Sequence, residues 1–196
     1  MSLRPNISGF DLTKMTAFIG CGDRMIAVRA ERHARTVYAR AEALDAIARR
    51  LNEAILGDIK RGMDGSEDAA LVNAMIALAR FEQMHLDTDS NMWKSAHLDW
   101  VLEGLPSRPD GANETEWMDA CALVEHALLQ RPLLGSWQDS DWTTYGYLDR
   151  DEVRRLLDYR RRFPSLGEDK YGFAPAFFGW LVEIDAAGLD YWFYAS

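Results

Sequence analysis

The sequence predicts an α+β fold, mainly helical, as a single domain over residues 1–196, with a small sheet joining the N- and C-terminal strands. Three observations lead there. Apolar residues recur at three- and four-residue steps along most of the chain, between residues that start and stop helices. The chain ends Leu189-Asp190-Tyr191-Trp192-Phe193-Tyr194, dense in the aromatics that favour strands. A lone strand would leave its backbone groups unpaired, so this run needs a partner. Asn6 to Phe10 is the first candidate and part of 133–147 the second.

The elements follow in order. Asp11 caps a brief helix, with Phe10 and Met15 placed as a hydrophobic staple. Gly20-Cys21-Gly22 interrupts it, glycine being free to adopt the positive φ of a helix end. Asp23 then caps one long helix to about Leu56, striped by Val37, Ala41, Leu44, Ala48, Leu51 and Ile55. Gly57, Gly62 and Gly65 mark a loop. A third helix covers roughly 66–85 with Leu71, Met75, Leu78 and Phe81 inward, and a fourth covers 91–103 with Met92, Trp93, Leu98, Val101 and Leu102. Asn113 caps a fifth, Glu116 standing at N3 as in a capping box, with Met118, Cys121, Ala122, Val124, Ala127 and Leu128 as its apolar side. The stretch 133–147 reads as loop. Leu148-Asp149-Arg150-Asp151-Glu152-Val153 is the clearest helix start: Asp149 caps, Glu152 sits at N3, and Leu148 staples onto Val153. A last helix spans about 175–187, with Phe177, Leu181 and Ile184 on one face and Gly188 at its close.

Composition excludes several classes. Hydrophobic residues at 48% and charged residues at 27% are a globular balance, not a disordered one. Cys21 and Cys121 form no CxxC, which excludes a disulfide scaffold and paired-thiolate metal sites. No apolar run reaches the roughly 20 residues of a membrane helix, and MSLRPNISGF lacks a signal-peptide core. A cytoplasmic protein with no membrane contact is expected.

The net charge of −9 is unevenly spread. Residues 1–61 hold 11 Lys and Arg against 7 Asp and Glu, whereas 62–148 hold 4 against 15. The acidic middle repels phosphate backbones and suits a basic protein partner. Arg29, Arg32, Arg35, Arg40, Arg49 and Arg50 are interrupted by Glu31, Glu42, Asp45 and Glu53, the pattern of a solvated helix face laced by ion pairs. No nucleic-acid contact is expected.

The two ends carry a family likeness. FDLTKMTAFIGCGD near the start, then YGYLDRDEVRRLL and FFGWLVEIDAAGLDYWFYAS near the finish, resemble the YfbM-like families of bacterial proteins of unknown function. The likeness covers about the first 25 and last 60 residues. It implies a cytoplasmic α+β domain and carries over no catalytic residues.

Chemistry-bearing residues are few. His85 and His97, with Asp87, Asp89 and Asp99 nearby, have the donors for a metal, yet His85 reads as a helix-end cation beside free carbonyls. Glu125-His126 lacks a second histidine at i+4, and His33 reads as a surface residue. No metal and no cofactor is expected. Cys21 precedes a helix N-terminus that would favour a thiolate, but reads as a small residue in a tight connection, and Cys121 reads as a buried thiol. The unusual segment is 136–147, where Trp137, Asp139, Asp141, Trp142 and Tyr145 combine stacking surfaces with acceptors, as a sugar or cationic ligand requires. The same aromatics also suit packing of the loop onto the core. The expected function is a non-enzymatic binding or interaction protein with an acidic face. The alternative is a small-molecule binder or hydrolase using 136–147.

Overall fold

Helices flank a four-stranded sheet in the order β2-β1-β4-β3, with β1 at Pro5–Phe10, β2 at Gln83–His85, β3 at Thr144–Leu148 and β4 at Asp190–Ala195. The computed structural model describes residues 5–37, 44–57, 75–79, 83–85, 96–129, 131, 133, 144–170 and 172–195. The α+β architecture and the pairing of the terminal strands are as the sequence predicts. The chain divides into two compact units, Met1–Gly9 with Met84–Arg131 and Trp142–Ser196, and Phe10–Gln83 with Pro132–Asp141. No helix among the described residues is long and apolar enough to cross a membrane.

In the first unit β3 and β4 pair antiparallel, Tyr145 opposite Tyr194 and Leu148 opposite Tyr191. β4 therefore has both edges satisfied, by β1 and by β3. Alternation along the strands sends Ile7, Leu148, Tyr191, Phe193 and Ala195 into one core. That core is shared with α4 (Ala96–Glu103), α5 (Glu114–Leu128), α6 (Arg150–Arg162) and α7 (Phe173–Ala186). Trp100 is its hub, with rings of Phe173, Phe177 and Phe178 within 5.6–6.3 Å. β3 lies so close to α5 that a Cβ on Gly146 would stand 2.1 Å from the Ala127 carbonyl oxygen. Only glycine fits there.

The Asp149 helix start is borne out in full, whereas at Asn113 the cap forms but the Glu116 carboxylate meets Arg162 rather than completing a capping box. Asp149 accepts from the Glu152 amide at 2.8 Å and Glu152 accepts from the Asp149 amide at 2.9 Å, a complete capping box. Leu148 and Val153 are both fully buried, as a staple requires. Glu152 also accepts from Arg131 at 2.6 Å, and the Arg131 guanidinium lies 4.1 Å over the Tyr147 ring. Asp190, at the start of β4, accepts from the Arg150 amide at 2.7 Å and ties the final strand to the first turn of α6. Asp169 reaches forward to the Ala174 amide at the start of α7. Gly188, at φ +67, closes the chain's last turn before β4.

In the second unit Asp11 caps α1 (Leu12–Phe18) through the Lys14 amide at 2.8 Å, with Phe10 and Met15 fully buried. Asp23 accepts from the Met25 amide at 2.7 Å and starts the next helix. The long helix expected to Leu56 is two, α2 (Arg24–Val37) and α3 (Leu44–Leu56). A single helix of that length would span about 50 Å and leave its stripe without a partner. Folding back buries Ala27, Ala30 and Ala34 of α2 and Ala48, Leu51, Ala54 and Ile55 of α3. The pair is antiparallel: the amides of Gly20 and Gly22, just ahead of α2, donate to the carbonyls of Ala54 and Ile55 near the end of α3.

One further boundary and two helix faces differ from expectation. The third helix is seen over 75–79, but 83–85 form β2, because the outer edge of β1 offers backbone partners that override local helix preference. α4 buries Ala96, His97, Trp100 and Val101 and leaves Leu102 70% exposed. α5 buries Val124, Ala127 and Leu128 as expected, but in its first half it turns Trp117, Ala120 and Leu123 inward in place of Met118, Cys121 and Ala122, and Met118 is 64% exposed. The bulky Trp117 sets that phase by packing edge-on to Phe163 at 5.5 Å. Leu71, Phe81, Met92 and Trp93 lie outside the described residues.

Candidate functional site

Of the five residues singled out in the aromatic and acidic segment, Trp137, Asp139, Asp141 and Trp142 lie outside the described residues. Tyr145 lies in β3 and is buried. Its ring meets that of Tyr194, directly opposite in register, at 5.4 Å, and its carbonyl accepts from the Arg131 amide. The side chain works as a cross-strand packing residue.

His97 is fully buried on α4, its ring 5.0 Å from Phe193 and 6.0 Å from Phe173. Nε2 lies 3.3 Å from the Thr144 hydroxyl, and Nδ1 has no hydrogen-bond partner among the described residues. Burial pushes its pKa down to about 4, so the imidazole is neutral at pH 7. His85 ends a strand rather than a helix, which removes the helix-end explanation for it. Asp87 and Asp89 lie outside the described residues. Among those described, no three of His, Cys, Asp and Glu gather as metal ligands would.

The cysteines are unpaired. Cys21 is exposed in its glycine turn, and its sulfur accepts from the Asp23 amide at 3.4 Å. Cys121 is half-buried, and burial together with Glu125 pushes its thiol up, away from the reactive thiolate.

The acidic helix α5 sorts its carboxylates by direction. Toward α6, Glu116 meets Arg162 at 2.8 Å, and Asp119 accepts from the Tyr159 hydroxyl at 2.8 Å and pairs with Arg155 at 3.0 Å. These charges are spent on holding the two helices together. Glu116 thus pairs with an arginine as well as standing at N3 of the Asn113 cap, whose side chain accepts from its amide at 3.2 Å. On the outward side Glu114, Met118, Cys121 and Glu125 follow at i, i+4, i+7 and i+11, a single stripe. Glu114 pairs with the exposed Arg108 at 3.4 Å. Solvent therefore meets an apolar Met118 set between two carboxylates. The sequence holds the signal for this stripe, but placing Met118 inward hides it.

No family model, curated protein or solved structure matches the chain.

Proposed function

We propose that this protein acts by association rather than by catalysis, docking a basic protein partner on the acidic middle of the chain. The observation that carries this reading is the outward stripe of α5, where exposed Met118 lies between Glu114 and Glu125. A partner presenting an apolar side chain flanked by lysine or arginine complements it: the methionine supplies an adaptable apolar contact, and the carboxylates steer approach and fix register. The reading includes a cytoplasmic setting, consistent with two free thiols, one of them exposed. A place among the YfbM-like bacterial families is part of the same proposal and rests on the terminal motifs.

The test is a partner recovered by crosslinking and then measured with purified components. Its affinity should fall with salt, because the Debye length shrinks from about 10 Å at 0.1 M to about 3 Å at 1 M. Glu114→Lys with Glu125→Lys should weaken it at least tenfold without changing the melting temperature. An affinity indifferent to both salt and reversal, or tight binding to duplex DNA at physiological salt, would refute the reading.

A further inference from the structure

The second unit carries a cationic groove that the α5 reading does not use. Along α2, Ile26, Arg29, Arg32, His33 and Thr36 occupy one side of the helix, facing Ala77 and Leu78, while Lys14 and Phe18 of α1 extend the wall. Two open hollows result. One of about 160 Å³ is lined by Lys14, Phe18, Ile26, Arg29 and Leu78. The other, of about 370 Å³, is lined by Arg29, Arg32, His33, Thr36, Ala77 and Leu78. They share Arg29 and Leu78 and so run together.

Among the described residues the charge in this groove is uncompensated. No carboxylate lines either hollow among the described residues. Glu31 of α2 and Asp45 of α3 are drawn to another side, where Arg35 pairs with them at 2.9 Å and 3.4 Å. Lys14, Arg29 and Arg32 form no ion pair with any described residue. In a chain of net charge −9, three cations without an ion-pair partner among the described residues, set around a partly apolar hollow, are a local reversal of sign.

From this we infer that the groove binds a small organic anion with an apolar body, a carboxylate or phosphate monoester on a short hydrocarbon chain. The larger hollow takes the head, because guanidinium groups meet carboxylate and phosphate oxygens in a two-pronged geometry and Arg29 and Arg32 flank it. The smaller takes the chain, against Phe18, Ile26 and Leu78. A volume of about 370 Å³ sits at the small end of ligand sites, which run from about 300 to 1,000 Å³. A nucleic-acid strand fits poorly, because its affinity grows with the number of phosphates neutralised and this track offers three cations.

The experiment uses the full chain with octanoate and octyl phosphate as probes, followed by amide chemical shifts and calorimetry. Octanol, acetate and inorganic phosphate separate the contributions of head and chain. Saturable binding of either octyl anion, with shifts centred on Arg29, Arg32 and Leu78, is the expected result, and which of the two binds more tightly identifies the head group. Arg29→Gln with Arg32→Gln, both at exposed positions, should lose at least tenfold in affinity, whereas Arg24→Gln on the same helix should lose none. The inference is overturned if neither probe binds at millimolar concentration, if octanol binds as well as octanoate, or if inorganic phosphate matches octyl phosphate. It is equally overturned if the double variant binds normally, or if a single-stranded oligonucleotide binds more tightly than both probes. Since the groove and the α5 stripe lie in different units, none of these outcomes bears on the basic-partner reading.

Discussion

Acid should destabilise this protein chiefly through His97, before its carboxylates titrate, with His33, also lowered by burial, adding in the same direction. The ring is fully buried among Phe173 and Phe193, and burial holds its pKa at about 4 against an ordinary 6.5. The unfolded chain therefore binds a proton that the folded chain refuses, between those two values. Stability is complete above pH 6.5 and falls as pH drops toward 4, the sign of a depressed histidine. With about 1.36 kcal/mol per pH unit, the loss is about 0.8 kcal/mol at pH 6, about 2 kcal/mol at pH 5, and roughly 3 kcal/mol at pH 4. His97→Phe keeps an aromatic ring in an aromatic site and removes the titration. It gives up the 3.3 Å contact with Thr144, about 1 kcal/mol, but also removes Nδ1, which has no partner among the described residues, so it should be near neutral at pH 7. Urea unfolding of both proteins from pH 7.5 to 4.5 reads the difference directly. The variant should overtake the wild type below pH 6 and lead by about 2 kcal/mol at pH 5. Parallel curves, or an NMR titration placing His97 near 6.5, would refute the argument.

Three further outcomes follow from the packing. Gly146→Ala drives a methyl into the Ala127 carbonyl, a backbone clash that neither element can yield to, and should cost roughly 3 kcal/mol or more; a melt within a degree of wild type would contradict the close approach. Asp149→Ala removes the cap of α6 and should cost about 1 kcal/mol in urea titration, with Asp149→Ser recovering most of it. Deleting 189–196 removes three fully buried aromatics, Tyr191, Trp192 and Phe193, each covering about 150–250 Å², and should abolish cooperative melting. A truncated chain that melts like the intact one would show the strand to be an appendage.

How legible each feature was depended on how local its cause is. Caps and staples are set by residues three to five apart, so Asp11, Asp23, Asn113 and Asp149 start their helices where the sequence places them. The terminal aromatic run declares itself a strand, and the demand of an unpaired backbone calls the N-terminal strand to its side. Helix phase was less secure: Trp117 and Met118 are neighbours in an apolar-rich segment, and only Phe163, 46 residues on, chooses which turns inward. Of the segment 136–147, just the strand end with Tyr145 falls among the described residues.

Other features belong to tertiary structure alone. The fold-back between α2 and α3 depends on the amides of Gly20 and Gly22 finding carbonyls more than thirty residues away. Strand β2 exists because β1 has an edge to fill, not because Gln83-Met84-His85 prefers extension. The arginines of α2 read as one solvated face from composition, yet Glu31 and Asp45 serve Arg35 and leave Arg29 and Arg32 along a groove with no ion-pair partner among the described residues. Periodicity and capping act within a few residues, so the sequence by itself determined where helices begin and that the ends meet. Which charge finds which partner, and which ring is shut away from water, depend on contacts between distant segments, and only the tertiary structure decided those.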